Sequence, residues 1–182
     1  MGFSEIKAFI KEMVSIVLIA FILSLVLRFI AIEGRIIPSG SMIPTIKIQD
    51  RVMINKFIYR FKEPERGDIV VFDPPAVLNI DELYIKRVIG LPGEIVEVRN
   101  STVYINGRPL SEPYLNGAIS YQYGPVVVPE NSLLVLGDNR NNSYDSHLWN
   151  AWLTRERIKG KALMVYWPLH NFHFLERGVS IE

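Results

Sequence analysis

The chain has 182 residues, with 20 Lys+Arg against 19 Asp+Glu and a formal net charge of +1. That length suits one ordinary domain plus an appendage, and the balanced charge points away from a nucleic-acid partner. There is no cysteine, which excludes disulfides, thiolate metal sites and thiol nucleophiles.

Hydrophobic content is 49%, and a large block of it sits near the N-terminus. Residues 13–27 carry no charge, and after Arg28 the apolar character resumes through Ile32, so the span 13–32 counts twenty residues. About 20 are needed to cross a bilayer. Arg28 is near one end, where a long side chain can reach the headgroups. Lys7 and Lys11 precede the run as in a secretory signal. The run is longer than a usual signal core, however, and no small-x-small site follows it before Ser41. A retained transmembrane helix over 13–32 is therefore expected, with residues 1–12 ahead of it and a domain over 33–182 behind it. Basic residues on both sides leave its orientation open. Ser41 follows Ile32 by nine residues, so it stays within about 30 Å of the end of the span.

Next comes Pro38-Ser39-Gly40-Ser41-Met42-Ile43-Pro44-Thr45. Prolines fix φ and glycine admits angles other residues avoid, so such a loop can hold a small hydroxyl at a set angle. An activated serine beside an oxyanion-binding amide needs that arrangement, although a plain Ser/Gly/Pro turn has the same composition. Met42 and Ile43 are expected to present an apolar surface toward lipid.

From Asp50 onward the pattern is strand-like. Short β-rich runs are predicted at 51–55, 68–72, 83–89, 94–99, 102–105, 126–128, 132–136 and 162–166, with a helical turn near 155–159. Asn106-Gly107 marks a hairpin. The soluble part reads as all-β, a sandwich or folded-over antiparallel sheets. The irregular stretches 73–82 and 111–125 are long for connections and are expected to face substrate or move.

Lys86 lies within Tyr84-Ile85-Lys86-Arg87-Val88. If buried, its ammonium is disfavoured and the neutral amine can act as a general base; the alternation does not say which face is buried. The run from Gly137 to His147 is densely polar. It fails as a calcium loop, because Arg140 occupies the third position from Asp138 and no glycine the sixth. His170 and His173 have no accompanying carboxylate pattern, so no metal site is expected. Ser41, His147 and Asp145 could be drawn as a triad, and that reading stays open at this point.

Taken together, these blocks resemble the bacterial type I signal peptidases (leader peptidases), membrane-anchored serine–lysine endopeptidases. The resemblance rests on an apolar N-terminal span followed in order by Pro38-Ser-Gly-Ser-Met-Ile-Pro-Thr45, Arg66-Gly-Asp-Ile-Val-Val-Phe72, Lys86-Arg-Val-Ile-Gly-Leu-Pro-Gly-Glu94 and Gly137-Asp-Asn-Arg-Asn-Asn-Ser-Tyr-Asp-Ser146. It implies Ser41 as nucleophile and Lys86 as general base. Ser39 would assist the Ser41 amide in the oxyanion hole, Ser143 would orient the lysine, and Asp145 would be a structural acid behind it. No histidine takes part in catalysis in that family, so the triad recedes. His147 stands where an arginine usually pairs with the acid, and Asn150 where glycine usually follows the tryptophan.

The resemblance further implies no cofactor or metal, signal peptides of exported preproteins as substrates, and membrane lipid and the secretion translocase as partners. It implies a single-pass location in the cytoplasmic membrane, with residues 1–12 cytoplasmic and the catalytic domain outside. Ile36, Ile37 and Ile85 flank the two reactive residues and are expected to wall a substrate pocket for small side chains. A protease dedicated to one exported substrate and a non-catalytic β-domain that binds exported proteins are the alternatives. A self-cleaving repressor-type protease would lack the apolar span.

Overall fold

The computed structural model describes residues 3–181, the side chains at 3–5, 8 and 26–31 excepted. The chain divides into two compact units, Met1–Glu33 and Gly34–Glu182. The first holds helix α1 (Phe3–Ala31). All its described side chains at 9–25 are exposed. The helix starts ten residues before the apolar span and stops one residue short of its end, because Ile32 already opens a strand. Among the described residues, no helix is long and apolar enough to cross a membrane. The Arg28 side chain lies outside the described residues.

The second unit is mainly β, as expected. In chain order its elements are β1 (Ile32–Ile36), β2 (Arg51–Asn55), β3 (Ile69–Phe72), β4 (Tyr84–Gly90), β5 (Ile95–Arg99), β6 (Thr102–Ile105), β7 (Arg108–Ser111), β8 (Tyr123–Val127) and β9 (Ser132–Leu136). They are followed by the short helix α2 (Ser146–Trp149), then β10 (Leu153–Thr154), β11 (Ile158–Trp167), β12 (His173–Phe174) and β13 (Ser180–Ile181). One sheet runs β1-β2-β11-β3-β4-β9-β10 with β12 beside β11, and the other runs β13-β7-β6-β5-β8. The registers from β3–β4 through β5–β6 are antiparallel.

Local chemistry accounts for the turns. Asn106 and Gly107 take φ of 51° and 80° and close the β6–β7 hairpin, the left-handed pair that matches strand twist. β8 begins three residues earlier than expected and contains Pro125. It is an edge strand, the place in a sheet where a missing N–H is tolerated. The expected helical turn is a single 3-10 turn at Arg155–Arg157. Residues 111–125 form no free loop: Asn141 accepts from the Ser120 amide at 2.8 Å and donates to Ala118 O at 2.9 Å.

Between the sheets, Ile89, Leu134 and Leu136 pack with Val96, Val98, Val103, Ile105 and Leu110. β4 lies between β3 and β9 and is buried from Ile85 to Gly90. The question of which face is buried therefore has a simple answer. Neither face of β4 is solvated, so Lys86 and Arg87 are both forced into the interior.

Candidate active site

Three segments converge on Lys86. The first is the 37–50 loop, pinned at its ends by Ile37 N donating to Asp50 O at 2.9 Å and Gln49 N donating to Ile37 O at 2.8 Å. Its middle is anchored by Met42 and Ile46, both 0% exposed and part of a core with Ile37, Ile54 and Ile85. Burying side chains of this size contributes about 1.5–3 kcal/mol each. Met42 is thus a core anchor for the loop rather than a lipid-facing residue, contrary to the sequence expectation. The second segment is β4 itself. The third runs from Gly137 to His147, and it grips the first: Asn139 N donates to Ser41 O and Asn139 Nδ2 to Gly40 O, both at 3.0 Å.

The result is a contact of 2.6 Å between Lys86 Nζ and Ser41 Oγ. Lys86 is 4% exposed and Ser41 8%. Burial strips water from the ammonium and pushes the lysine pKa down to about 8, with Asp145 and Asp138 partly opposing the shift. A protonated lysine donates to the serine oxygen; once neutral, the amine accepts the serine proton through the same contact. Ser39 Oγ lies 3.5 Å from Ser41 Oγ. Ser143 is buried, but its hydroxyl makes no hydrogen bond. The expected Ser143–lysine bond is therefore not formed; the amine is engaged with Ser41 instead.

Asp145 is fully buried and accepts from Gly137 N at 2.8 Å and from the His147 ring at 2.6 Å. His147 does meet the acid, stacked on Tyr121 at 4.0 Å. It stands away from Ser41 in this network, so the triad does not form. Asn150 caps α2 with φ 52°, a left-handed position that asparagine reaches at small cost, as glycine would. Ile36, Ile37 and Ile85 do line one groove of about 540 Å³, between the segments leading into Ser41 and into Lys86. Ile37 and Ile85 are 4% and 7% exposed and act as core walls, whereas Ile36 is 54% exposed. Among the described residues, no cluster of His, Cys, Asp or Glu could hold a metal ion.

Sequence reasoning missed the ion pair beside the two reactive residues. Arg87 Nε and Nη2 donate to Asp138 Oδ1 and Oδ2 at 2.8 and 2.7 Å, both side chains being 1% exposed or less. Thr45 Oγ1 also donates to Asp138, so one carboxylate ties the serine loop, β4 and the third segment together. A guanidinium beside Lys86 inside a largely apolar strand was the available signal, because buried charge needs a partner. Removing one member of such a pair strands the other, typically costing about 3–5 kcal/mol. Arg87→Met is expected to lose stability on that scale in urea melts, and Arg87→Met/Asp138→Leu to recover part of it. A double variant no better than the single one would show that the bonds from Arg87 Nη1 to the carbonyls of Gly67, Glu176 and Arg177, at 2.8–2.9 Å, carry the cost rather than the pairing with Asp138.

A family model described as Signal peptidase, peptidase S26, matches residues 10–167. The protein named Probable signal peptidase I-2 from Synechocystis sp. is 48% identical over 166 residues, covering 90% of this chain and 76% of that protein. Signal peptidase I S from Bacillus subtilis is 36% identical over 177 residues, covering 91% of this chain and 93% of the relative. A crystal structure of a signal peptidase I from Enterococcus faecalis shares 36% identity over 55% of this chain and 97% of that one, with a TM-score of 0.49. On the extent of these matches, the chain belongs to the signal peptidase family, peptidase S26.

Proposed function

We propose that this chain is a signal peptidase that cuts signal peptides from exported preproteins, with Ser41 as nucleophile and Lys86 as general base. The observation that carries the reading is the buried 2.6 Å contact between Lys86 Nζ and Ser41 Oγ, made by an amine whose pKa is lowered to about 8. Neutral Lys86 takes the Ser41 proton as the oxygen attacks the carbonyl before the scissile bond. The Ser41 amide and the Ser39 hydroxyl stabilise the oxyanion, and one such donor is typically worth about 10²–10³ in rate. Lys86 hands its proton to the leaving amine, then draws one from water to release the acyl group. Asp145 supports the lysine electrostatically from behind. The substrate lies extended in the groove walled by Ile36, Ile37 and Ile85, which favours small side chains next to the cut.

The membrane anchor belongs to the same proposal. Its support is the uncharged run 13–27 within a helix that continues to Ala31; the helical part of the span, 13–31, is about 28 Å at 1.5 Å per residue against a hydrocarbon core of about 30 Å. With residues 1–12 on the cytoplasmic side, as the family resemblance implies, one crossing would leave the catalytic domain outside the cytoplasmic membrane, near lipid and the translocase that delivers preproteins.

The test is incubation of the purified full chain with a preprotein in detergent. Cleavage by the wild type and none by Ser41→Ala or Lys86→Arg is expected, since a guanidinium does not shed its proton near neutral pH. Substantial turnover by either variant would remove the serine–lysine pair from the mechanism.

A further inference from the structure

His173, in β12, has a carbonyl oxygen facing each ring nitrogen: Nδ1 is 2.7 Å from Asn171 O, and Nε2 is 3.0 Å from Thr45 O. A carbonyl oxygen only accepts, so each contact is a hydrogen bond only when that nitrogen carries a proton. A neutral imidazole has a single N–H and closes one of the two; the imidazolium closes both. The second carbonyl belongs to the serine loop, four residues beyond Ser41, at the residue whose hydroxyl also binds Asp138.

We propose that His173 is a positioning residue for the nucleophile loop, holding Thr45 fully only as an imidazolium that donates to both carbonyls. Its surroundings suit a tie rather than a chemical role. On the sheet, His173 pairs with Val165, which pairs in turn with Val52, both fully buried apolar residues. The charged groups around the tie are Asp50, bound by Asn171 Nδ2 at 2.7 Å and by Lys47 N at 2.8 Å, and Asp138, paired with Arg87 behind Thr45. When the ring is neutral it keeps the shorter bond, to the carbonyl two residues back, and releases Thr45.

The consequence is a pair of opposed proton demands. Lys86 serves as base only when deprotonated, whereas His173 grips the loop most firmly when protonated. This inference rests on Ser41 being the nucleophile, and its test separates the two. With ¹⁵N-histidine-labelled full chain in detergent micelles, both His173 ring N–H protons are expected to be protected from solvent exchange at acid pH, with only the Nδ1 proton remaining as the ring titrates. In kinetics, His173→Phe keeps an apolar ring of similar size and no donor. It is expected to lower kcat about tenfold near pH 6, the scale of one charge-assisted hydrogen bond, with KM unchanged. That deficit should shrink toward unity at alkaline pH, where the wild-type ring is neutral and has itself released Thr45. Unprotected ring protons at every pH, or a kcat deficit that is absent or constant with pH, would overturn the assignment even if the variant proves unstable, because the resonance measurement uses wild type. Cleavage by Ser41→Ala would instead unseat the nucleophile and leave the ring measurement standing.

Discussion

Lys86→Met is expected to abolish cleavage and, in the same protein, to raise the melting temperature. The loss of activity follows from removing one member of a nucleophile–base unit, an effect of about 10⁴-fold or more. The gain in stability follows from the cost of burying the amine. With a folded pKa of about 8 against an ordinary 10.5, the unfolded chain holds this proton more tightly than the folded one. Stability from this group is therefore complete only above the unfolded value, and is lost as pH falls from there through the folded value. Below about pH 8 the penalty is constant, on the order of 3 kcal/mol at 1.36 kcal/mol per unit. Methionine has similar length and no charge, so most of that penalty disappears, which corresponds to several degrees in melting temperature. The advantage of the variant should narrow between pH 8 and 10.5 as wild-type Lys86 loses its proton. Equal melting temperatures at pH 7, or a gap that does not change up to pH 10, would show that the amine is not held at a cost. The same titration governs catalysis: wild-type kcat/KM should rise with pH around a midpoint near 8, as neutral lysine accumulates.

The parts of this molecule that were legible in its sequence are those with strong local grammar. Arg51–Asn55, Thr102–Ile105 and Ser132–Leu136 are strands at the positions their β-rich runs indicate, and Asn106-Gly107 forms its turn. Strands with no periodicity of their own were invisible. β10, β12 and β13 have two residues each and exist because a neighbouring strand offers an unpaired edge. Ser41 and Lys86 were found from motif blocks, but their mutual placement depends on a long-range contact across 45 positions. Arg87 shows the limit most clearly. Alternation along β4 assumes one wet face, and a strand enclosed on both sides breaks that assumption. His173 was weighed only as a metal ligand, because nothing local reveals that Thr45 lies against its ring.

Gly137→Ala is expected to cut kcat by about 10²-fold or more, although residue 137 is neither nucleophile nor base. A methyl group there would stand 2.3 Å from Ser143 Oγ, 2.6 Å from Ser143 Cβ and 2.4 Å from Ser41 O. The contact with Ser143 Oγ could be relieved by rotating the side chain, while the one with Ser143 Cβ needs a small shift of that residue. The contact with Ser41 O could not, because a backbone atom must move and each neighbour resists. Gly137 N is held by Asp145 at 2.8 Å, and Ser41 O accepts from Asn139 N at 3.0 Å. Met42, the next residue, is completely buried. The strain is therefore taken up where the two segments meet, and Ser41 shifts relative to Lys86. A misplacement of about 1 Å in a reacting group can cost about 10² in rate, and overpacking of this kind destabilises by about 1–3 kcal/mol. Adding Ser143→Gly to Gly137→Ala removes the side-chain clashes and leaves the backbone one. The double variant should regain some stability in thermal melts while its kcat stays low. A double variant with near-wild-type kcat would show that Ser143, and not the carbonyl of the nucleophile, is what the missing side chain at 137 protects.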